Sequence, residues 1–350
     1  MTGMILFIAG CGRSPDHQSP IDDATILTVT FAGDLGLGLA VQSYPWIEKN
    51  GYHAAFANVR PVIKDTDFFI PNLESPITDP ETPSIFPKRR PRQPPEVATA
   101  LQDEGVTIVG LANNHQMDFG KPGLDSTLKY LHAAGIKTFG AGENLAQATE
   151  PLILEKNGYK VAVVAGCRPR KWQLLATDEL AGVAPLERKP WSKAIKKAKK
   201  KADFVVALPH WGECNKSKIS DEEKKYAQIT VDAGADLVIG HHPHIPQTME
   251  IIRGVPVLYS IGNFIFHGIR QIELEKGPRN LRFDYSWVTK VEWTRRGLKS
   301  ITIIPFFNNN LKTDFTPRPA EPKNARWLYE RLLPEGYWEQ TGNRAVIRFL

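Results

Sequence analysis

The sequence predicts an α/β protein, a mixed β-sheet with helices outside it and a second sheet packed on it. Three observations carry this expectation. Over the first two thirds of the chain, β-branched runs alternate with stretches of helical periodicity, the pattern of a mixed sheet with helices outside it. Later segments read as hairpins, which supply antiparallel strands for a second sheet packed on the first. At 350 residues, with 42% hydrophobic and 23% charged residues, the chain can also fill a large core.

The elements follow in order. "TILTVTFAGD" is a β-branched run that ends at Gly33-Asp34. "AAFANVRPVIKDTDFFIPNLES" is a helix broken near Pro61, then a strand from Phe68 to Ile70 that leads into Asn72-Leu73-Glu74. "PPEVATALQDEGVTIVGLANNH" opens a helix after proline and closes it near Gly105. Its strand, Val106 to Leu111, runs into Asn113-Asn114-His115. Leu124, Leu128 and Leu131 share one face of the next helix, and Gly135 caps it.

Asn157-Gly158 and Arg253-Gly254 mark two hairpins, and "YSWVTKVEWTRRGLKSITIIPFF" reads as a third, half-exposed antiparallel pair. Between them, a lysine-rich helix turns Ala194, Ile195, Ala198 and Ala202 inward and precedes a strand ending at His210. Its lysines read as a solvated face. A further helix and strand end at "GHHPH". The expected organisation is a signal remnant and tether over 1–23, one main domain over 24–311, and a C-terminal extension with a surface helix over 312–350.

Composition excludes little. A net charge of +6 fits an anionic partner, but no aromatic-plus-basic motif points to nucleic acid. Cys11, Cys167 and Cys214 form no CxxC, so neither a disulfide framework nor a zinc knuckle is read. No apolar run is long enough for a spanning helix. Near the start, Ile8-Ala9-Gly10-Cys11 resembles the lipobox of bacterial lipoproteins, followed by a polar stretch to about Asp23. The apolar run before it is short and lacks a preceding basic residue, which a start assigned too late explains. The expected location is the bacterial envelope, outside the cytoplasmic membrane, with lipid on Cys11.

The chain holds only 9 histidines, yet "GADLVIGHHPHIPQ" places His241, His242 and His244 in one loop. Asp34, Glu74, Asn114 with His115, His210 and this trio each follow a predicted strand. Strand C-terminal ends converge on one edge of such a sheet, where ligands bind. Carboxylate, amide oxygen and imidazole together suit a borderline divalent ion such as Mn, Fe, Zn or Co.

"FAGDLGLG", "NLESPIT", "GLANNHQMDFG", "PHWGE", "GADLVIGHHPHIPQ" and "VLYSIGNFIF" resemble the successive motifs of the capsule-synthesis CapA family. That family is associated with poly-γ-glutamate synthesis or export and is related to the calcineurin-like metallophosphoesterases. The resemblance spans roughly residues 25 to 270. It implies a metallophosphoesterase-like sandwich of two mixed β-sheets flanked by helices, holding one or two divalent ions (Mn, Fe or Zn). Asp34, Glu74 and His244 would hold one ion, and Glu74, Asn114, His210 and His242 the other. His115 would protonate the leaving group. Glu74 stands where the phosphoesterases keep a bridging aspartate, and Gly36 where they keep a histidine, so the first set is one ligand short. His241, Glu213 and Cys214 receive no role.

Three functions are compatible with these residues. The first is a component of poly-γ-glutamate synthesis or export that meets the anionic polymer and membrane-associated machinery. The second is a metal-dependent phosphoesterase or related hydrolase acting on a phosphate ester. The third is a non-catalytic envelope scaffold.

Overall fold

A computed structural model describes residue 25 and residues 27–39, 43–79, 81–86, 91–168, 174–268 and 281–349. The lipobox-like tetrapeptide at Cys11 lies outside the described residues. The first strands are β1 (Leu27–Gly36), β2 (Phe68–Leu73), β3 (Ile108–Gly110), β4 (Lys137–Phe139), β5 (Ala141–Gly142) and β6 (Leu152–Lys156). Next come β7 (Tyr159–Cys167), β8 (Gly182–Val183), β9 (Phe204–His210), β10 (Leu237–Ile239), β11 (Met249–Ile252) and β12 (Val255–Leu258). The chain ends with β13 (Asn263–Phe266), β14 (Tyr285–Thr294), β15 (Gly297–Phe307), β16 (Arg318–Pro319), β17 (Trp338–Thr341) and β18 (Arg344–Arg348).

Two mixed sheets face each other. The larger runs β17-β18-β15-β14-β1-β2-β3-β4, with β13 also on β1 and β16 on β15. The smaller runs β11-β12-β10-β9-β7-β6. Strands β1 to β4 are mutually parallel, and so are β7, β9, β10 and β12. Along the edge of β1 away from β2, β14 pairs antiparallel with Leu27–Phe31, and β13 takes over in parallel from Asp34. This change of partner is what places the end of β1 in a crevice.

The two-residue period of the strands sorts side chains into three cores. Val29 and Phe31 of β1, Val161 and Val163 of β7, and Val206 and Leu208 of β9 fill the space between the sheets. Ala32 and Leu35 turn the other way, onto the helices over 96–103 and 120–133, beside Val97, Leu101 and Leu131. Ala162, Val164, Val205 and Ala207 meet Trp191, Ile195 and Ala198 of the lysine-rich helix Arg188–Lys199. Part of the positive charge on that helix and just past its end is neutralised locally: Lys197 and Lys201 pair with Glu150, and Lys199 with Asp236.

Three local expectations change. Pro61 opens a helix, Arg60–Lys64, because proline's missing N–H costs nothing in a first turn. The late hairpin β14–β15 joins the larger sheet rather than the second one. It is covered on both faces: Trp287, Val291, Ile301 and Ile303 point between the sheets, while Val288, Ile304 and Phe306 pack on the helix side. Residues 312–350 supply β17 and β18 at that sheet's edge, and the helix Pro322–Leu332 buries Ala325, Leu328, Tyr329 and Leu332 in the main core.

The approach of β13 to β1 requires glycine. A Cβ on Gly33 would sit 1.8 Å from the Gly262 carbonyl oxygen, which accepts a hydrogen bond from Asp34 N at 3.1 Å. Backbone cannot swing aside as a side chain can. Gly33→Ala is therefore expected to destabilise the fold by about 3 kcal/mol or more, the upper end of overpacking costs. Gly158→Ala, at a hairpin glycine with φ +78 and nothing within 4 Å, should cost only about 1 kcal/mol. Denaturant unfolding of both variants checks the contrast, and equal losses would contradict it.

Candidate metal centre

The candidate residues gather in one crevice, at the seam between the sheets rather than on one sheet's edge. The larger sheet contributes Asp34 from β1, Glu74 just past β2 and Asn114 past β3. The smaller contributes His210, the last residue of β9, and the loop after β10 with His242 and His244. The pairing of β1 shifts register on both sides of Asp34, against β2 and against β13. Such bulges turn a side chain out of the regular pleat. His242 and His244 both take positive φ, 96° and 61°. Backbone of this kind costs roughly 1–3 kcal/mol per residue and persists only where its surroundings enforce it.

Two groups of donors converge. In the first, His210 Nε2 lies 2.7 Å from Asn114 Oδ1, 3.1 Å from His242 Nδ1 and 3.4 Å from Glu74 Oε1. In the second, His244 Nδ1 lies 3.2 Å from Asp34 Oδ2 and 3.6 Å from Glu74 Oε2. Glu74 thus gives one oxygen to each group. Within Glu74–His210–His242, and likewise within Asp34–Glu74–His244, the ligand atoms lie within 4.8 Å of one another.

The donor set fits divalent cations. Both Glu74 oxygens are buried and have no hydrogen-bond partner among the described residues. Unpaired buried carboxylate is costly enough that a cation or a proton must compensate it. At His210 Nε2, a single N–H would face three acceptor atoms and could satisfy one. Ligands about 2.1 Å from a common ion lie about 3.0–3.4 Å apart, which is the spacing of the His210 and His242 nitrogens.

Electrostatics divide the site. Burial, reinforced by the neighbouring imidazoles, pushes His210 and His242 well below the usual histidine range, so both are neutral at pH 7 and able to ligate. Burial, then the charge of Asp34, raises the Glu74 carboxyl well above its ordinary value. Burial would also raise Asp34, but its hydrogen bond to His244 and the favourable electrostatics of His244 and the other nearby imidazoles hold it low. Burial opposes charge on His244, yet Glu74 and Asp34 outweigh it and push that imidazole well up. Without a cation, the protonated forms of Glu74 and His244 are favoured over their ordinary balance.

His115 stands beside this centre, with Nδ1 2.7 Å from Asp118 Oδ2. The sequence reading missed Asp118, although its i+3 spacing from His115 was visible. It also missed the amides that orient the acids. Asn72 Nδ2 donates to Asp34 Oδ1 at 2.7 Å, and Asn113 Nδ2 donates to Asn72 Oδ1 at 3.2 Å. Asn72 lies two residues before Glu74, so strand periodicity could have flagged it. A third amide, Asn263, puts Oδ1 2.8 Å from His244 Nδ1. His241 is buried, and its Nε2 meets the Ala32 carbonyl at 3.3 Å, a structural position.

Residues 28–268 match the family described as Bacterial capsule synthesis protein PGA_cap. The chain belongs to this PGA_cap family. It is 31% identical over 260 residues to the PGA biosynthesis protein CapA of Bacillus subtilis, covering 74% of this chain and 67% of that protein. It is 33% identical over 248 residues to the Capsule biosynthesis protein CapA of Bacillus anthracis, covering 69% of this chain and 60% of that one. A probable polyglutamine synthesis accessory protein of Mycobacterium tuberculosis is 32% identical over 311 residues, covering 81% of this chain and 75% of its own. Among solved structures, a hypothetical protein from Thermus thermophilus aligns with TM-score 0.49 and 16% identity, covering 84% of this chain and 99% of its own. A 5'-nucleotidase precursor from the same organism gives 0.46 and 12%, covering 85% and 55%.

In this PGA_cap chain a divalent cation would have to displace the proton that His244 favours, and it would compete with any proton on Glu74. Uptake of Mn or Zn is therefore expected to release protons and to tighten as pH rises from about 6 to about 8. Calorimetric titration in buffers of different ionisation enthalpy measures both. A buffer-independent heat together with an affinity flat across that range would refute the expectation.

Proposed function

We propose that this chain serves poly-γ-glutamate capsule synthesis or export through a divalent-metal site of metallophosphoesterase type that hydrolyses a phosphate ester or similar bond. The observation that carries the reading is Glu74, a fully buried carboxylate whose two oxygens face two separate imidazole groups. Glu74, Asn114, His210 and His242 would hold one cation, and Asp34, Glu74 and His244 would contribute to a second. Such ions would supply Lewis-acid polarisation of the reacting oxygen. The names of the relatives support the capsule and polymer part of this reading, and membrane-associated synthesis machinery would be the partner.

The remaining chemistry belongs to the chain. Asp118 is buried and engages His115 Nδ1, so the transferable proton sits on Nε2. Burial opposes the charged imidazole, but the Asp118 hydrogen bond and charge outweigh it and raise His115 above its ordinary value. The shift favours the protonated ring, the form a general acid needs. Its role is to deliver that proton to the departing oxygen, while Asp118 holds the tautomer and the ring plane. Activity should decline as pH rises through this raised value, when the acid is lost.

Lipid on Cys11 would hold the domain against the outer face of the membrane, where stable anchoring takes more than one acyl chain. No helix among the described residues is long and apolar enough to cross a membrane. Labelled palmitate supplied to cells expressing the gene should appear on the wild-type protein and not on Cys11→Ser. Absence of label from both would remove the anchor from the proposal.

His115→Ala is expected to lower turnover of a phosphodiester substrate by about 10²–10⁴-fold, the usual contribution of a general acid, with metal content unchanged. His242→Ala should lose metal as well as activity. Elemental analysis beside turnover separates the two effects. Full capsule formation in cells carrying His115→Ala would move the non-catalytic scaffold ahead of both enzymatic readings.

A further inference from the structure

The Asp34 side of the centre is one donor poorer than the other side if only Asp34, Glu74 and His244 serve it. Gly36, two residues on from Asp34 along β1, offers no side-chain donor, and the space beside it is filled by apolar side chains. A Cβ on Gly36 would lie 2.5 Å from Leu39 Cδ1 and 3.2 Å from Phe266 Cε2. A further donor for this pocket can instead come from the neighbouring strand β13.

We propose that Asn263 is that donor, binding the second cation through Oδ1. β13 runs parallel to β1 with Asn263 in register opposite Asp34. The glycine pair Gly33 and Gly262 lets the two backbones close up, so Asp34 N donates to Gly262 O at 3.1 Å. Asn308 Nδ2 donates to the Asn263 carbonyl at 3.0 Å and fixes the strand from its other side. The Asn263 side chain is 1% exposed. Its Oδ1, at 2.8 Å from His244 Nδ1, joins Asp34 Oδ2 and Glu74 Oε2 around one imidazole nitrogen. One N–H could serve only one of these three oxygens well, whereas a cation is served by all three and the nitrogen together.

The two pockets then match in kind. Each has an oxygen of Glu74, an amide oxygen and at least one imidazole: Asn114 with His210 and His242 on one side, Asn263 with Asp34 and His244 on the other. A neutral amide oxygen restores the donor number without adding to the charge already buried there. This inference rests on the two-ion reading above.

The test loads the full chain with Mn and reads stoichiometry by elemental analysis and ion coupling by electron paramagnetic resonance. Wild type should hold two coupled ions. Asn263→Ala should keep one, with an isolated-ion signal, and bind the second at least about 100-fold more weakly, since even outer-shell losses cost 10–100-fold. Asn263→Asp, which keeps an oxygen in place, should recover two ions, and it serves if the alanine variant does not fold. A wild type that holds fewer than two ions defeats the two-ion reading and this inference with it. Two ions in wild type and two in Asn263→Ala, bound equally tightly, overturn the inference alone.

An orienting role through His244 predicts a different result. In that case Asn263→Ala would cost nothing further in a His244→Ala background, whereas a direct ligand costs additional affinity there. A second-site affinity identical in His244→Ala and in the double variant would overturn the assignment.

Discussion

One buried carboxylate organises the centre of this protein. Glu74 is fully enclosed where the two sheets meet, and neither of its oxygens has a hydrogen-bond partner among the described residues. An ionised carboxylate in such a place is tolerable only if positive charge is brought to it. The surroundings are donors suited to holding such a charge: His210 and His242 on one side, His244 and Asp34 on the other, each group facing one oxygen of Glu74. The arrangement looks poorly satisfied as a hydrogen-bonded network and well satisfied as a ligand set.

The location of the seam follows from strand direction. In both sheets the strands that reach the crevice run parallel, so their C-terminal ends open toward the same side. The carboxylates come from the larger sheet and the imidazoles from the smaller, so each pocket is assembled across the core rather than along one edge. Its geometry therefore depends on how the sheets pack through Val29, Phe31, Val163 and Val206. The left-handed conformations of His242 and His244 belong to the same constraint: Pro243 between them fixes a turn that aims the two rings into different pockets.

Asparagine recurs around the centre in two roles. Asn72 and Asn113 form a relay of amide hydrogen bonds that ends on Asp34 Oδ1 and leaves its other oxygen to His244 and the His242 backbone N–H. Asn114 and Asn263 instead turn oxygens toward imidazole nitrogens. Amides are neutral at every relevant pH and combine a donor with an acceptor, so they position acids or add ligand oxygens without deepening the negative charge.

Much of the fold was legible in the sequence because its signals are local. The Asn157-Gly158 turn takes positive φ at both residues, and the helix over 120–133 buries Leu124 and Leu131, as their spacing indicated. The candidate residues were legible too, because each stands at the end of an apolar run. Other features have no local signal. The β14–β15 hairpin alternates like a half-exposed pair, and only its seat beside β1 buries both faces. Asn263 begins a strand rather than ending one, so no rule about strand ends selects it; it matters because β13 comes to lie parallel to β1. The sequence by itself determined the elements, the turns and the residue types offered to a cation, since those follow from backbone preferences and periodicity over a few residues. The tertiary structure alone decided which donors share a pocket, because that depends on two sheets meeting face to face and on a pair of glycines that lets two strands touch.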